Sequence, residues 1–162
     1  MNKSLLVVAI VAIIGMGVAY AISPYFTNST VDEALPNSAI PLKMDDEPMM
    51  EDATIETYAG TFVGVGDGIH DAQGTVRTIP LDHGNNVLRL ENFKATNGPD
   101  LYVYLATDDK ASEFVSLGKL KANNGNQNYD IPENTDLEKY SKVLIWCKAF
   151  GVLFGNADLS LQ

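Results

Sequence analysis

Residues 5–22 read LLVVAIVAIIGMGVAYAI, eighteen positions without a charge. This run constrains the chain more than any other feature. A helix that is apolar on every side cannot serve as one face of an amphipathic layer. At about 1.5 Å per residue it is roughly 27 Å long, close to the thickness of a bilayer core. Lys3 precedes it and Ser23-Pro24 ends it. Two readings follow: an uncleaved N-terminal anchor, or a secretory signal with Ala19-Tyr20-Ala21 as its cleavage site. The run is longer than the usual signal core, which favours the anchor. With Lys3 before the helix and acids after it, the N-terminus is expected in the cytoplasm. The rest of the chain is then expected outside: a single-pass protein of the cell membrane, or a secreted one if residues 1–21 are removed.

The 162 residues divide into three parts: 1–22, the anchor; 23–57, a linker; and 58–162, a folded domain. The linker holds Pro24, Pro36, Pro41 and Pro48, and eight acids from Asp32 to Glu56 against Lys43 alone. Proline and self-repulsion resist compaction, so a solvated, flexible spacer is expected. Met44, Met49 and Met50 with the acids suggest metal capture only weakly, because nothing orders them. Asn28-Ser29-Thr30 is a glycosylation sequon, used only where the host modifies exported chains. A net charge of −10 disfavours nucleic acid as a partner. It also disfavours docking on an anionic membrane by charge alone.

From Tyr58 the pattern becomes β. Segments 58–65, 74–81, 86–93, 100–107, 114–120, 127–131, 142–149 and 152–159 are short and rich in β-formers. Turn signals such as Gly66-Asp67-Gly68, Asn97-Gly98-Pro99 and Asn123-Asn124-Gly125 separate them. Leu101, Val103 and Leu105 share one strand face, and Tyr102 and Tyr104 the other. This spacing predicts an all-β antiparallel sandwich or barrel. Residues 134–140 are expected to form one helical turn capped by Asn134 or Thr135. Leu88, Leu90, Leu101, Val103, Leu105, Val143 or Leu144, Ile145 and Trp146 are the expected core.

Cys147 is the one cysteine of the chain and follows its one tryptophan, Trp146. A single thiol excludes a disulfide framework and a Cys-rich metal site within one chain. On a strand, Val143, Ile145 and Cys147 share a face, and Leu144, Trp146 and Lys148 the other. Free cysteine is commonly buried packing, and apolar burial suppresses thiolate chemistry. A chemical role would need a partner. The two histidines are His70, in the loop 66–74, and His83, read as a turn residue beside Gly84. A Cys147–His70 pair is conceivable if the fold brings the two together. A cupredoxin-like copper site is not indicated, since no His or Met follows Cys147. Asp67 and Asp71 lack the spacing of a calcium loop. No phosphate-binding glycine motif and no nucleophile elbow is present.

The stretches GTFVG (60–64), IHDAQGTVR (69–77), LRLENFKATNGPDLYVYL (88–105), LGKLKANNGNQNYDIP (117–132) and VLIWCKAFGVLFGNADL (143–159) resemble, in order, the electron-transfer DM-thirteen domain family. The resemblance implies an extracellular β-sandwich module found beside haem-binding and membrane-cytochrome domains. It implies a redox role for the family's cysteine, as a thiol or as a ligand to a prosthetic group such as haem. That cysteine corresponds to Cys147, and the family's loop histidine to His70. Trp146 is expected to shield or couple the same site. No companion cytochrome domain lies in this chain, so the electron partner would be another extracytoplasmic or surface protein. The rival reading is a non-catalytic interaction or adhesion module with Cys147 in the core. A small-ligand or metal carrier is a weaker third. The sequence leaves enzymatic activity open and points more to a redox or binding module than to a stand-alone enzyme.

Overall fold

The computed structural model describes residues 3–22, 27–37, 56–81 and 85–162. α1 (Lys3–Ile22) is the apolar run, and its side chains from Lys3 to Val18 are all exposed. Among the residues described in full, no helix is long and apolar enough to cross a membrane. On the backbone α1 extends over 20 residues. His83 and residues 38–55 of the expected linker lie outside the described residues.

The folded part is an antiparallel two-sheet sandwich, as the alternation predicts. Its strands are β1 (Tyr58–Thr61), β2 (Val63–Gly64), β3 (Ala72–Pro80), β4 (Asn86–Ala95), β5 (Leu101–Ala106), β6 (Phe114–Lys119), β7 (Asn124–Ile131), β8 (Lys142–Cys147), β9 (Val152–Asp158) and β10 (Ser160–Leu161). One sheet runs β10-β1-β3-β4-β7 and the other β2-β9-β8-β5-β6. The segment expected as one strand over 58–65 is thus split. β1 pairs with β3, Phe62 turns into the core, and β2 crosses to pair with β9 in the opposite sheet.

The inner faces bury Val76, Leu88, Leu90 and Phe93 from one sheet against Leu101, Val103, Leu105, Val143, Ile145 and Cys147 from the other. Each fully buried aliphatic side chain contributes about 1.5–3 kcal/mol by removal from water. Trp146 departs from the expected core. Period-two alternation puts it on the outer face of β8, half-buried against Tyr104, Leu144 and their neighbours. The 134–140 segment makes a single turn, with the Tyr140 N–H donating to the Asp136 carbonyl. Its cap is Asp136, whose Oδ1 accepts from the Glu138 and Lys139 N–H groups, rather than Asn134 or Thr135.

The largest departure lies in the expected spacer. Residues 29–34 run alongside β7, with Thr30 bridging Asn124 in parallel. The Val31 and Glu33 N–H groups donate to the Asn124 and Asn126 carbonyls, and the Asn124 N–H to that of Ser29. The Arg89 guanidinium, buried on β4, donates to the Glu33 and Ala34 carbonyls and to Asn128 Oδ1. Lys121 Nζ and the Asn128 N–H donate to the Glu33 carboxylate. A Cβ on Gly125, which has φ +101°, would collide with the Val31 carbonyl oxygen. This segment, hereafter the strap, extends the sheet beyond its β7 edge.

Candidate functional site

Cys147 ends β8 on its inner face, 1% exposed. Its backbone pairs with Leu101 of β5 on one side and Val152 of β9 on the other, which fixes where the thiol points. The β8–β9 hairpin then turns within a few residues. The Gly151 N–H donates to the Cys147 carbonyl at 2.9 Å, and Gly151 takes φ +63°, a conformation that favours glycine. The tip exposes Phe150.

On returning, β9 carries a bulge. Trp146 pairs with Leu153 and Ile145 with Gly155, which leaves Phe154 as the extra residue. Phe154 is therefore buried toward the core although Gly155, next to it, also faces inward against Ala72. Bulges commonly re-aim a side chain in this way. The Phe154 ring meets the His70 imidazole edge-on at 4.5 Å between centroids. Gly98 makes room for that ring: a Cβ there would lie 2.8 Å from Phe154 Cζ and 2.8 Å from Leu101 Cδ2.

These elements enclose a cavity of about 220 Å³ lined by Ile69, His70, Asn97 to Pro99, Cys147, Phe150, Val152 and Phe154. The fold thus brings His70 and Cys147 to the same cavity. Trp146 is not part of it, since it stands on the other face of β8. His70 is held by Asp67. Asp67 Oδ1 accepts from the Ile69 and His70 N–H groups at 2.8 and 2.7 Å, and Oδ2 meets His70 Nδ1 at 2.6 Å. The His70 N–H, the imidazole and the Ile69 N–H together hold the Asp67 carboxyl down at about 2. A carboxylate only accepts, so Nδ1 carries the proton in this pair. Nε2 makes no hydrogen bond among the described residues, and in the neutral ring it is the acceptor nitrogen.

Asp67, Phe154 and Phe150 were not legible as site residues. A signal for Asp67 exists in retrospect: Asp-x-x-His between two glycines is the spacing of an Asp side chain that caps the next turn. Phe154 depends on a bulge, which alternation alone does not reveal.

The donors offered to a bound group are the Cys147 thiol and His70 Nε2. Among the described residues no three His, Cys, Asp or Glu side chains converge as a metal site. Small-molecule pockets usually measure about 300–1,000 Å³, so the cavity of about 220 Å³ does not fit an enclosed haem. It fits a small group, or one edge of a larger group presented at the mouth.

Residues 62–159, more than half of the chain, match the family model described as electron transfer DM13. No curated protein and no solved structure is detectably similar to the chain. The matched span contains the whole cavity, Cys147 and His70 included, and the chain belongs to the electron transfer DM13 family.

Proposed function

We propose that this protein is a membrane-anchored, extracytoplasmic electron-transfer module whose centre is built at Cys147 and His70. The observation that carries the reading is the convergence of the one cysteine and a carboxylate-held histidine on one cavity. Asp67 fixes the ring and its tautomer. Phe154 packs the ring and Phe150 flanks the mouth, so bulk water is limited at the thiol. Soft sulfur and borderline imidazole nitrogen are a donor pair suited to a redox metal or prosthetic group carried by a partner. When bound, that group would supply the electron carrier; the chain supplies two donors and a dry wall. Anchoring is supported by α1, whose apolar side chains find no cover in the described part of the chain. Lys3 and the acidic downstream flank support an extracytoplasmic domain. The electron partner would be a separate surface or membrane protein.

A second reading is favoured by one observation, the 1% exposure of Cys147. It makes the domain an interaction module with the thiol as packing. The absorption spectrum of protein purified from native membranes, together with thiol labelling, separates the two. Under the redox reading Cys147→Ser removes any bound chromophore and the partner-dependent redox signal, with the far-UV spectrum retained. His70→Ala weakens both. A colourless native protein whose thiol labels only after denaturation would leave the interaction module standing.

A further inference from the structure

The end of the sandwich that carries the Cys147 cavity is also the end at which the chain arrives from α1. We infer that the cavity mouth faces the bilayer, with Ile69 and Phe150 seated in the lipid interface. This rests on α1 being embedded, as proposed above.

The first argument is where the strap begins. Asn28 Oδ1 accepts from Asn97 Nδ2 at 3.2 Å and from Asn123 Nδ2 at 2.9 Å, and the Ser29 N–H donates to Asn123 Oδ1 at 2.6 Å. Asn97 is itself a wall of the cavity. From Asn28 the strap runs parallel to β7, away from the mouth, until Arg89 and Asn128 hold its Ala34 carbonyl.

The second argument is reach. Six residue steps separate Ile22, the last of α1, from Asn28. Even fully extended they span at most about 21 Å. The headgroup region on each side of a bilayer is itself roughly 5–8 Å deep. The mouth is therefore held near the surface, whereas a free spacer running from 23 to 57 would have allowed the domain to stand clear.

The third argument is the chemistry of the rim. Phe150, at 73% exposure, and Ile69, at 71%, are more exposed than the other large apolar side chains described in the domain. They flank the same opening, with Val65 in the adjoining loop also exposed. Neighbouring exposed apolar groups of this kind mark an interaction surface. An aromatic ring on a short hairpin suits the boundary between headgroups and acyl chains. Reactants for Cys147 then reach it along the membrane surface.

The test uses the full chain in phosphatidylcholine vesicles whose acyl chains are brominated near the headgroup. Trp146→Phe removes the native fluorophore. Phe150→Trp, and separately Ile69→Trp, place a reporter on the rim, and Phe114→Trp places one at the opposite end of the sandwich. The rim reporters are expected to lose most of their emission relative to unbrominated vesicles, and the Phe114→Trp reporter to keep it. If the chain floats with the vesicles but the rim reporters are unquenched, or all three are quenched alike, the inference is overturned and the anchor stands. If the chain does not float, the anchor fails and the inference falls with it.

Discussion

Asp67 illustrates how one carboxylate organises the site. It binds two backbone N–H groups and the imidazole, and the His70 N–H is the largest reason its carboxyl sits at about 2 instead of the ordinary 3.8. The sign follows: a depressed carboxyl stabilises the loop at pH values above its unfolded value, and the contribution fades as pH falls through the folded one. The amide resonances of Ile69 and His70 are therefore expected to move together with a midpoint near pH 2. A midpoint near 4 in an NMR titration would mean that the loop is not held as described. Asp67→Ala removes both caps and the Nδ1 partner, and the neutral His70 ring should then sample both tautomers in its ¹⁵N shifts.

Among the elements, β8 was the most legible. Its alternation put Ile145 and Cys147 on one face and Trp146 on the other, and both sheets bear this out. Ile145 is fully buried, and Ile145→Ala should cost about 2–5 kcal/mol through lost transfer energy and the cavity left behind. Urea unfolding of the detergent-solubilised chain measures it, and a loss under about 0.5 kcal/mol would contradict the packing described. The strap was not legible. The linker around it, with its prolines and acids, read as a solvated spacer, because what fixes the strap lies far away in sequence: Arg89, Lys121, Asn128 and the missing Cβ of Gly125. The pairing of His70 with Cys147 was named from sequence as a candidate, but the geometry that brings them to one cavity was hidden, since it depends on the sheet switch at Phe62 and the bulge at Phe154, and Cys147 is only 1% exposed there. The side chain added by Gly125→Val should detach the strap, which hydrogen exchange reports as lost protection at the Val31 and Glu33 amides. The strap should also loosen in acid. Burial alone would raise the Glu33 carboxyl, but the bonds from Lys121 and the Asn128 N–H outweigh it and hold it below the usual range. Its contribution is thus present above the ordinary Glu value of 4.5 and lost as pH falls through the lowered one. Protection at Val31 and Glu33, corrected for intrinsic exchange, is expected to fall over that interval while β4 and β5 stay protected.

At the scale of the whole molecule, α1 and the strap would act together under the proposed anchoring. A sandwich with its own buried core needs no helix to fold, and α1 lends it none, since the described helix side chains are exposed. An exposed apolar helix in water would associate or aggregate, which is the physical ground for the membrane role proposed for it. Its backbone length of 20 residues, about 30 Å, matches a bilayer core. Removal after Ala21 would leave the strap docked on β7 with nothing to hold it to a surface, and the mouth of the cavity would open to bulk solvent. In the proposed uncleaved form the rim of Ile69 and Phe150 would stay at the interface. The mature protein is therefore expected to retain Leu5–Ile22, to resist alkaline extraction from membranes, and to give an intact mass that includes them. A mature chain beginning at Ile22 or Ser23, recovered in the soluble fraction, would show that the segment is a signal and that the domain works free of the membrane.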